Sequence, residues 1–537
     1  MSLIKILLLV VYTYPMDETL EELGVCSITS VLRENGFEVL LMGKTEDRID
    51  YDRIRSFKPN LMGFPVYNVS KNAVFRVISR LKEMLPTSMV CVGGNLPTFY
   101  GYEMMEENAD IDFAIKGEGE LTMAELAGRL SADGEFEQVK GLIYRDANGI
   151  TVNENRPFVD DLNRFPWPAR DLLLDNKLKF AQVYSSRGCT RHCSFCCSSE
   201  FWKKWRGKEI ADVIDEVEHI VDNYHVNMFY FIDSSFEDPG INCRRVGKFA
   251  DEILCRNINI SYYIYIRADF YKKISEDLIG RMKKSGLCGV MLGVDTANEF
   301  DLALYEKTPS LEDGNQAIEF FSGYGVVVSI GFINLNPYST FTSLRTNIRF
   351  LERYGFACVV PLLCSTYRLY KGTTLFEKIQ RDGLLIEDSY DNFYKYRFVN
   401  ESIGKMGGII LSYIAPIMQE CSDVYYYSCD YKFVLCSYKK LFEKNNLGKA
   451  CEIITEFVAR IDAILLELNQ RNAELFYEII DSVEKHGSTQ KVIDIMERSC
   501  IKEYTKSGVK SLQIEKIKLH RQLFKEVPVA MRYIMDE

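Results

Sequence analysis

Two long stretches of the chain alternate short β-branched runs with helix-length segments, and this alternation most restricts its fold. Apolar strands separated by helices are the pattern of a parallel α/β sheet. In the first stretch the runs fall at residues 4–11, 37–42, 61–65, 89–92 and 113–116, with helices predicted over 20–35, 72–84 and 120–130. Gly36 follows the first helix, where a left-handed cap is expected. From residue 181 the alternation resumes, with strands predicted at 182–186, 228–232, 258–266, 289–294, 326–333 and 358–364. Helices are predicted between them at 210–224, 244–256, 276–285, 311–324 and 342–354. The first stretch reads as a doubly wound parallel sheet, the second as six strand–helix units.

Sheets of this kind bind ligands beyond the carboxyl ends of their strands. Those ends carry Tyr12-Thr13-Tyr14, Val66-Tyr67-Asn68, Gly93-Gly94-Asn95-Leu96-Pro97-Thr98 and Gly117-Glu118-Gly119-Glu120. Glycine there lets the backbone approach a ligand closely, and its amides can meet polar edges.

The first strand of the second stretch runs into Ser186-Arg187-Gly188-Cys189-Thr190-Arg191-His192-Cys193-Ser194-Phe195-Cys196-Cys197. Cys189, Cys193 and Cys196 have the spacing C-x₃-C-x₂-C. Thiolates are soft ligands suited to iron–sulfur clusters, which usually take four cysteines. Three on one loop hold three irons and leave the fourth open to a small molecule. Zinc would need His192 as a fourth ligand, and its adjacency to Cys193 makes joint tetrahedral ligation awkward. Simple packing of the thiols lacks an apolar setting, because Arg187, Arg191 and His192 crowd the loop. Using Cys197 instead of Cys196 would give C-x₃-C-x₃-C, so Cys197 is read as a neighbour.

The loop closely resembles that of the radical S-adenosylmethionine (SAM) enzymes. The Gly-Gly-x-x-Pro-Thr and Gly-Glu-Gly-Glu loops resemble the cobalamin-binding domain that precedes many such barrels. The resemblance implies an N-terminal cobalamin-binding sheet domain over residues 1–135, a hairpin and proline-stiffened linker over 136–180, and a partial (β/α)₆ radical SAM barrel over 181–397. A mainly helical domain over 398–537 would shape the substrate pocket. It implies a [4Fe-4S] cluster on Cys189, Cys193 and Cys196, with SAM at the open iron. Phe195 would lie near the adenine, and Asp233, Arg267, Asp295 and Ser329 would be SAM contacts. Asp295 stands where the family commonly has glutamate. Cobalamin would lie on Tyr12, Thr13, Val66, Gly93, Gly94, Asn95, Pro97, Thr98, Gly117, Glu118, Gly119 and Glu120. The first histidine of the chain is His192, so no imidazole of the sheet domain can ligate cobalt from below. Weak lower-face ligation favours cobalt(I), the form that picks up a methyl cation.

By the same resemblance, one SAM methylates cobalt and a second is cleaved at the cluster to a 5′-deoxyadenosyl radical. That radical opens an unactivated carbon of a peptide or natural product to methylation. A rearrangement or cyclisation with both cofactors shares the first radical step, and a sheet domain acting only as a substrate- or partner-binding module is the other alternative. Such enzymes draw electrons from an external donor such as flavodoxin or ferredoxin.

The net charge of −11 argues against a nucleic-acid surface as the main business. Sixteen cysteines with no secretory signal, beside an oxygen-sensitive cluster, read as reduced thiols of a cytoplasmic protein. Residues 4–11 are too short to span a bilayer. Asn148-Gly149 marks a hairpin turn. Near the C-terminus, residues 450–468 and 473–485 have helical spacing. Tyr425-Tyr426-Tyr427 reads as packing, and Trp202, Trp205 and Arg206 are read as packing or ligand-facing alike.

Overall fold

The computed structural model describes residues 4–13, 20–132, 134–237, 239–240, 242–386 and 395–534. These fall into two compact units: residues up to 191 together with 197–239, and residues 192–196 together with those from 240 onward.

In the first unit the order is β1 (Lys5–Tyr12), α1 (Leu23–Glu34), β2 (Glu38–Thr45), α2 (Tyr51–Phe57), β3 (Leu61–Pro65), α3 (Lys71–Met84), β4 (Met89–Gly93), α4 (Asn95–Glu107), β5 (Phe113–Ile115) and α5 (Glu120–Ser131). β1 to β5 are parallel in the order β2-β1-β3-β4-β5, so the chain reverses direction across the sheet between β1 and β3. A crevice opens at such a reversal. Every residue from Ile6 to Tyr12 is buried, as a central strand covered on both faces requires. Gly36 has φ +85°, which only glycine adopts without strain, and it ends α1 as expected. Two helices, α2 and α4, lie outside the sequence expectation. α4 hides from periodicity because Pro97 sits in its first turn and Tyr100 breaks its helical path.

The hairpin β6 (Leu142–Asp146) and β7 (Gly149–Val152) is more than a linker. It extends the sheet antiparallel beyond β5, with Ala147-Asn148 as the turn, one residue earlier than expected, and Gly149 already paired with Asp146. Then come α6 (Asp171–Asp175), β8 (Phe180–Val183), β9 (Ser186–Arg187), α7 (Cys197–Trp202), β10 (Arg206–Gly207), α8 (Ile210–Tyr224) and β11 (Met228–Phe231), with β8 and β11 parallel.

The second unit continues with α9 (Arg244–Cys255), β12 (Ser261–Arg267), α10 (Glu276–Ser285), β13 (Leu287–Asp295), α11 (Glu299–Leu304), α12 (Leu311–Gly323), β14 (Val327–Phe332), α13 (Phe341–Arg353), α14 (Val360–Leu363) and α15 (Thr374–Arg381). β12, β13 and β14 are parallel. The strand expected at 358–364 is not one. Residues there form a short turn and α14, because Gly355 ends α13 with φ +79° and Pro361 lacks the N–H a ladder needs. The carbonyls of Ala357 and Cys358 instead accept from the Asn472 amide at 2.9 and 3.2 Å.

A short antiparallel pair, β15 (Leu385–Ile386) with β16 (Lys395–Tyr396), precedes a helical region: α16 (Glu401–Ile414), α17 (Met418–Ser428), α18 (Asp430–Lys444), α19 (Gly448–His486), α20 (Thr489–Arg498) and α21 (Ile501–Glu526). The two helices expected at 450–468 and 473–485 are one, α19, since nothing between them breaks a helix. Tyr426, Tyr427 and Tyr431 pack ring on ring at about 5.4–5.5 Å, and the Phe433 ring of α18 meets Tyr263 of β12 at 5.8 Å. Among the described residues, no helix is long and apolar enough to cross a membrane.

Candidate active site

At the reversal between β1 and β3 the first unit encloses a cavity of about 300 Å³. Its inner wall is apolar, built from Leu8 of β1, Val25 and Ile28 of α1, Ile115 of β5 and Met123 of α5. The mouth is formed by the loops singled out from sequence: Gly93, Gly94, Asn95, Gly117, Glu118, Gly119 and Glu120 all line it. Thr98 ties the two glycine loops together, donating to the Gly94 carbonyl at 2.7 Å and accepting from the Gly117 N–H at 3.0 Å. Pro97 and Val66, also expected as contacts, are buried and do not line the cavity, though the Val66 backbone bonds to Gly93 and Leu96. The Tyr12 hydroxyl donates to the Leu20 carbonyl, 2.9 Å away, and the half-buried Thr13 follows it. Tyr14 lies outside the described residues. Gly63, Gly24, Tyr184 and Arg187 also line the cavity but were not expected to, and Trp202, read as packing or ligand-facing alike, lines it too. The one available signal was Gly63, a glycine inside a strand.

A Cβ added at Gly24 or Gly117 would meet nothing within 4 Å beyond the adjoining chain, so both glycines keep open space that a Cβ would fill. A ligand with a large flat face can use that space.

Glu118 and Glu120 line the cavity with their carboxylates already engaged. Arg187 donates to Glu118 at 2.8 Å and to Glu120 at 2.6 Å. Arg206 donates twice to Glu118 at 3.0 Å. All four side chains are at least nine-tenths buried. Burial alone would raise the Glu120 carboxyl, but the Arg187 charge and hydrogen bond, helped by Ser27, outweigh it and hold it below its ordinary 4.5. Because the folded value is the lower one, this stabilisation is complete above 4.5 and is lost as pH falls through the folded value. The urea-unfolding free energy of the wild type is therefore expected to fall more steeply than that of Glu120→Gln between about pH 6 and pH 3. Parallel slopes would contradict the assignment.

None of the sixteen cysteines is in a disulfide, and Cys189, Cys193 and Cys196 are each partly accessible. Among the described residues no three Cys, His, Asp or Glu side chains converge as on a single ion. Cluster thiolates each bind a different iron and need no such convergence. The second half of the loop is pinned within its own unit. Ser194 N–H donates to the Tyr305 carbonyl at 3.0 Å and its hydroxyl to Leu304 at 2.7 Å, while its carbonyl accepts from Leu375 at 2.8 Å. The Phe195 ring meets Tyr305 edge-on at 5.2 Å.

Tyr305 is held in turn by Asn336, whose amide reaches its hydroxyl at 3.0 Å and Asp301 at 2.7 Å. Asp301 is fully buried and also accepts from the Asn298 amide at 2.6 Å. Burial pushes its carboxyl up, against partial relief from those amides. Asp301→Asn turns an NH₂ toward one of two amide donors and is expected to destabilise the protein by about 1–3 kcal/mol, read by urea unfolding. An unchanged midpoint would contradict this.

The remaining expected SAM contacts have protein partners of their own. Asp233 follows β11, and its carboxylate accepts from the N–H and hydroxyl of Ser185 and from Ser186. Arg267 ends β12 and donates to Asp269 at 3.0 Å. The Ser329 hydroxyl is buried against that of Tyr263. Asp295 ends β13 with φ +65°, a strained conformation for this residue, and pairs with Lys307. The Lys307 ammonium also donates to the Gly293 carbonyl at 2.7 Å.

Residues 10–127 match the family model of the B12 binding domain, and residues 183–351 that of the Radical SAM superfamily. The chain is a cobalamin-dependent radical SAM enzyme. It is 26% identical over 400 residues to an uncharacterised methyltransferase of Pyrococcus horikoshii, covering 72% of this chain and 85% of that protein. It is 26% identical over 321 residues to the anaerobic magnesium-protoporphyrin IX monomethyl ester cyclase of Synechocystis, covering 58% of this chain and 64% of the cyclase, so just under two thirds of that relative is spanned. Its fold matches the solved cobalamin-dependent SAM radical enzyme OxsB with aqua-cobalamin and SAM bound. The TM-score is 0.69 at 18% identity, over 98% of this chain and 81% of OxsB. This radical SAM enzyme uses a [4Fe-4S] cluster, SAM and cobalamin. Its residues fit them: three thiols on one loop suit the cluster, and the glycine-walled crevice suits a corrin.

Proposed function

We propose that this enzyme methylates an unactivated carbon of a peptide or natural-product substrate. The observation that carries the reading is the glycine-walled crevice in a domain without histidine, which leaves a corrin unligated by imidazole from its own domain. The methyltransferase name of the Pyrococcus relative supports the same direction. When bound, the cluster supplies the electron that cleaves SAM, and cobalamin serves as methyl carrier.

In this reading Cys189, Cys193 and Cys196 hold the cluster, and the Ser194 and Phe195 contacts with Tyr305 fix the loop between them. Arg267 is assigned to the SAM carboxylate, whose shape its fork matches. Asp295 is assigned to the ribose hydroxyls or amino group, with Lys307 orienting it. Gly93, Gly94, Gly117 and Gly119 bring backbone against the corrin. The helical region after residue 398 shapes the substrate pocket, and an external one-electron donor such as flavodoxin or ferredoxin reduces the cluster.

The cyclase name of the Synechocystis relative favours a second reading, a rearrangement or cyclisation without methyl transfer. Anaerobic incubation of the reconstituted enzyme with SAM, reductant and candidate substrates separates the two. 5′-Deoxyadenosine together with S-adenosylhomocysteine is the expected result. 5′-Deoxyadenosine alone would overturn methylation in favour of rearrangement.

A further inference from the structure

Arg187 stands two residues before Cys189, on β9, and its guanidinium bridges both carboxylates of the Gly117–Glu120 loop. Its NH₂ donates to the Tyr184 hydroxyl at 3.0 Å, and its plane lies over the rings of Tyr184 and Trp202, 4.5 and 5.5 Å away. Arg206 pairs with Arg187 across the β9–β10 ladder and locks Glu118 from the other side. Glu120 is anchored to α1 through the Ser27 hydroxyl at 2.8 Å. Between Arg187 and Cys189 lies Gly188, with φ +86°; a Cβ there would sit 2.1 Å from the Lys204 carbonyl oxygen. Gly188, between clamp and thiol, thus packs directly against the Lys204 backbone.

We propose that Arg187 is a positioning residue that couples the corrin crevice to the first cluster thiolate. The inference rests on the cofactor assignment above. Gly117 and Gly119, which form the crevice mouth, alternate with Glu118 and Glu120, which hold Arg187. Displacing the mouth pulls on the clamp, and displacing the clamp moves Cys189. Two buried arginines face two buried carboxylates, so neither side can shift without leaving a charge uncompensated. Lysine cannot reproduce this hold, because a single ammonium does not span two carboxylates as a planar fork does. Coupling of this kind is reciprocal: a filled cluster tightens cobalamin binding by the factor that cobalamin tightens cluster retention.

The test measures hydroxocobalamin affinity by visible absorption in the full chain, anaerobically, with and without its iron–sulfur cluster. In the wild type the cluster-loaded form is expected to bind at least about tenfold more tightly, a coupling of about 1.4 kcal/mol. Arg187→Lys should reduce that ratio to near one, with a changed electron paramagnetic resonance spectrum of the reduced cluster. Glu118→Gln keeps the Arg187–Glu120 pair and is the milder variant should Arg187→Lys not fold; it should give an intermediate ratio. Equal wild-type affinity in both forms, or a full ratio in either variant, would overturn the coupling while leaving the crevice assignment intact. No binding in either form would overturn the crevice assignment, and the coupling with it.

Discussion

Alanine at Cys189, Cys193 or Cys196 is expected to abolish 5′-deoxyadenosine formation, whereas Cys197→Ala retains it. The difference follows from register. The first three cysteines form the C-x₃-C-x₂-C set proposed above to hold three irons and leave one open. Removing any of them costs a covalent iron ligand, an effect far beyond the few kcal/mol of most single substitutions. Cys197 begins α7 instead, one residue past the set. Product is quantified by chromatography after anaerobic incubation with SAM and a reductant, and iron content is measured on the same samples. Retained product in Cys196→Ala, with loss in Cys197→Ala, would move the third ligand by one position.

The second large effect is expected at Gly24. This glycine is the second residue of α1 and lines the crevice, with no atom beyond its own helix within 4 Å of where its Cβ would lie. Its backbone is not left-handed, so a larger residue meets no conformational penalty. Gly24→Leu should leave the melting temperature nearly unchanged while its side chain occupies part of a cavity of about 300 Å³. Hydroxocobalamin affinity should fall at least about tenfold, the equivalent of 1.4 kcal/mol. Gly117→Leu would confound the same test, because φ +76° there penalises any side chain. Undiminished cobalamin binding by Gly24→Leu would place the cofactor elsewhere.

Much of the fold was legible because its signals are local. Residues 61–65 and 210–224 are delimited in the structure as periodicity delimits them, Gly36 turns the chain where its chemistry demands, and the Asn148-Gly149 signal marks the hairpin but one residue late, since Gly149 already pairs with Asp146. The sixth strand failed for a non-local reason: Asn472, more than a hundred residues away, satisfies the carbonyls that a strand would have paired. α19 was divided in two because its middle, at Asn469 and Asn472, is buried and polar, which breaks the apolar pattern without breaking the helix. At the site, the glycine loops were readable from their position after strands. The occupation of Glu118 and Glu120 by Arg187 and Arg206 was not, since ion pairs across some seventy to ninety residues leave no trace in spacing. Asp233 and Ser329 were placed correctly at strands, but only coordinates reveal that serines and a tyrosine engage them.

The central claim is that one chain holds an open-cornered cluster and a corrin together. Protein purified anaerobically after reconstitution with iron, sulfide and hydroxocobalamin should contain both, and adding SAM should shift the electron paramagnetic resonance spectrum of the reduced cluster. Zinc in place of iron, a spectrum indifferent to SAM, or a chain that retains no corrin would contradict it.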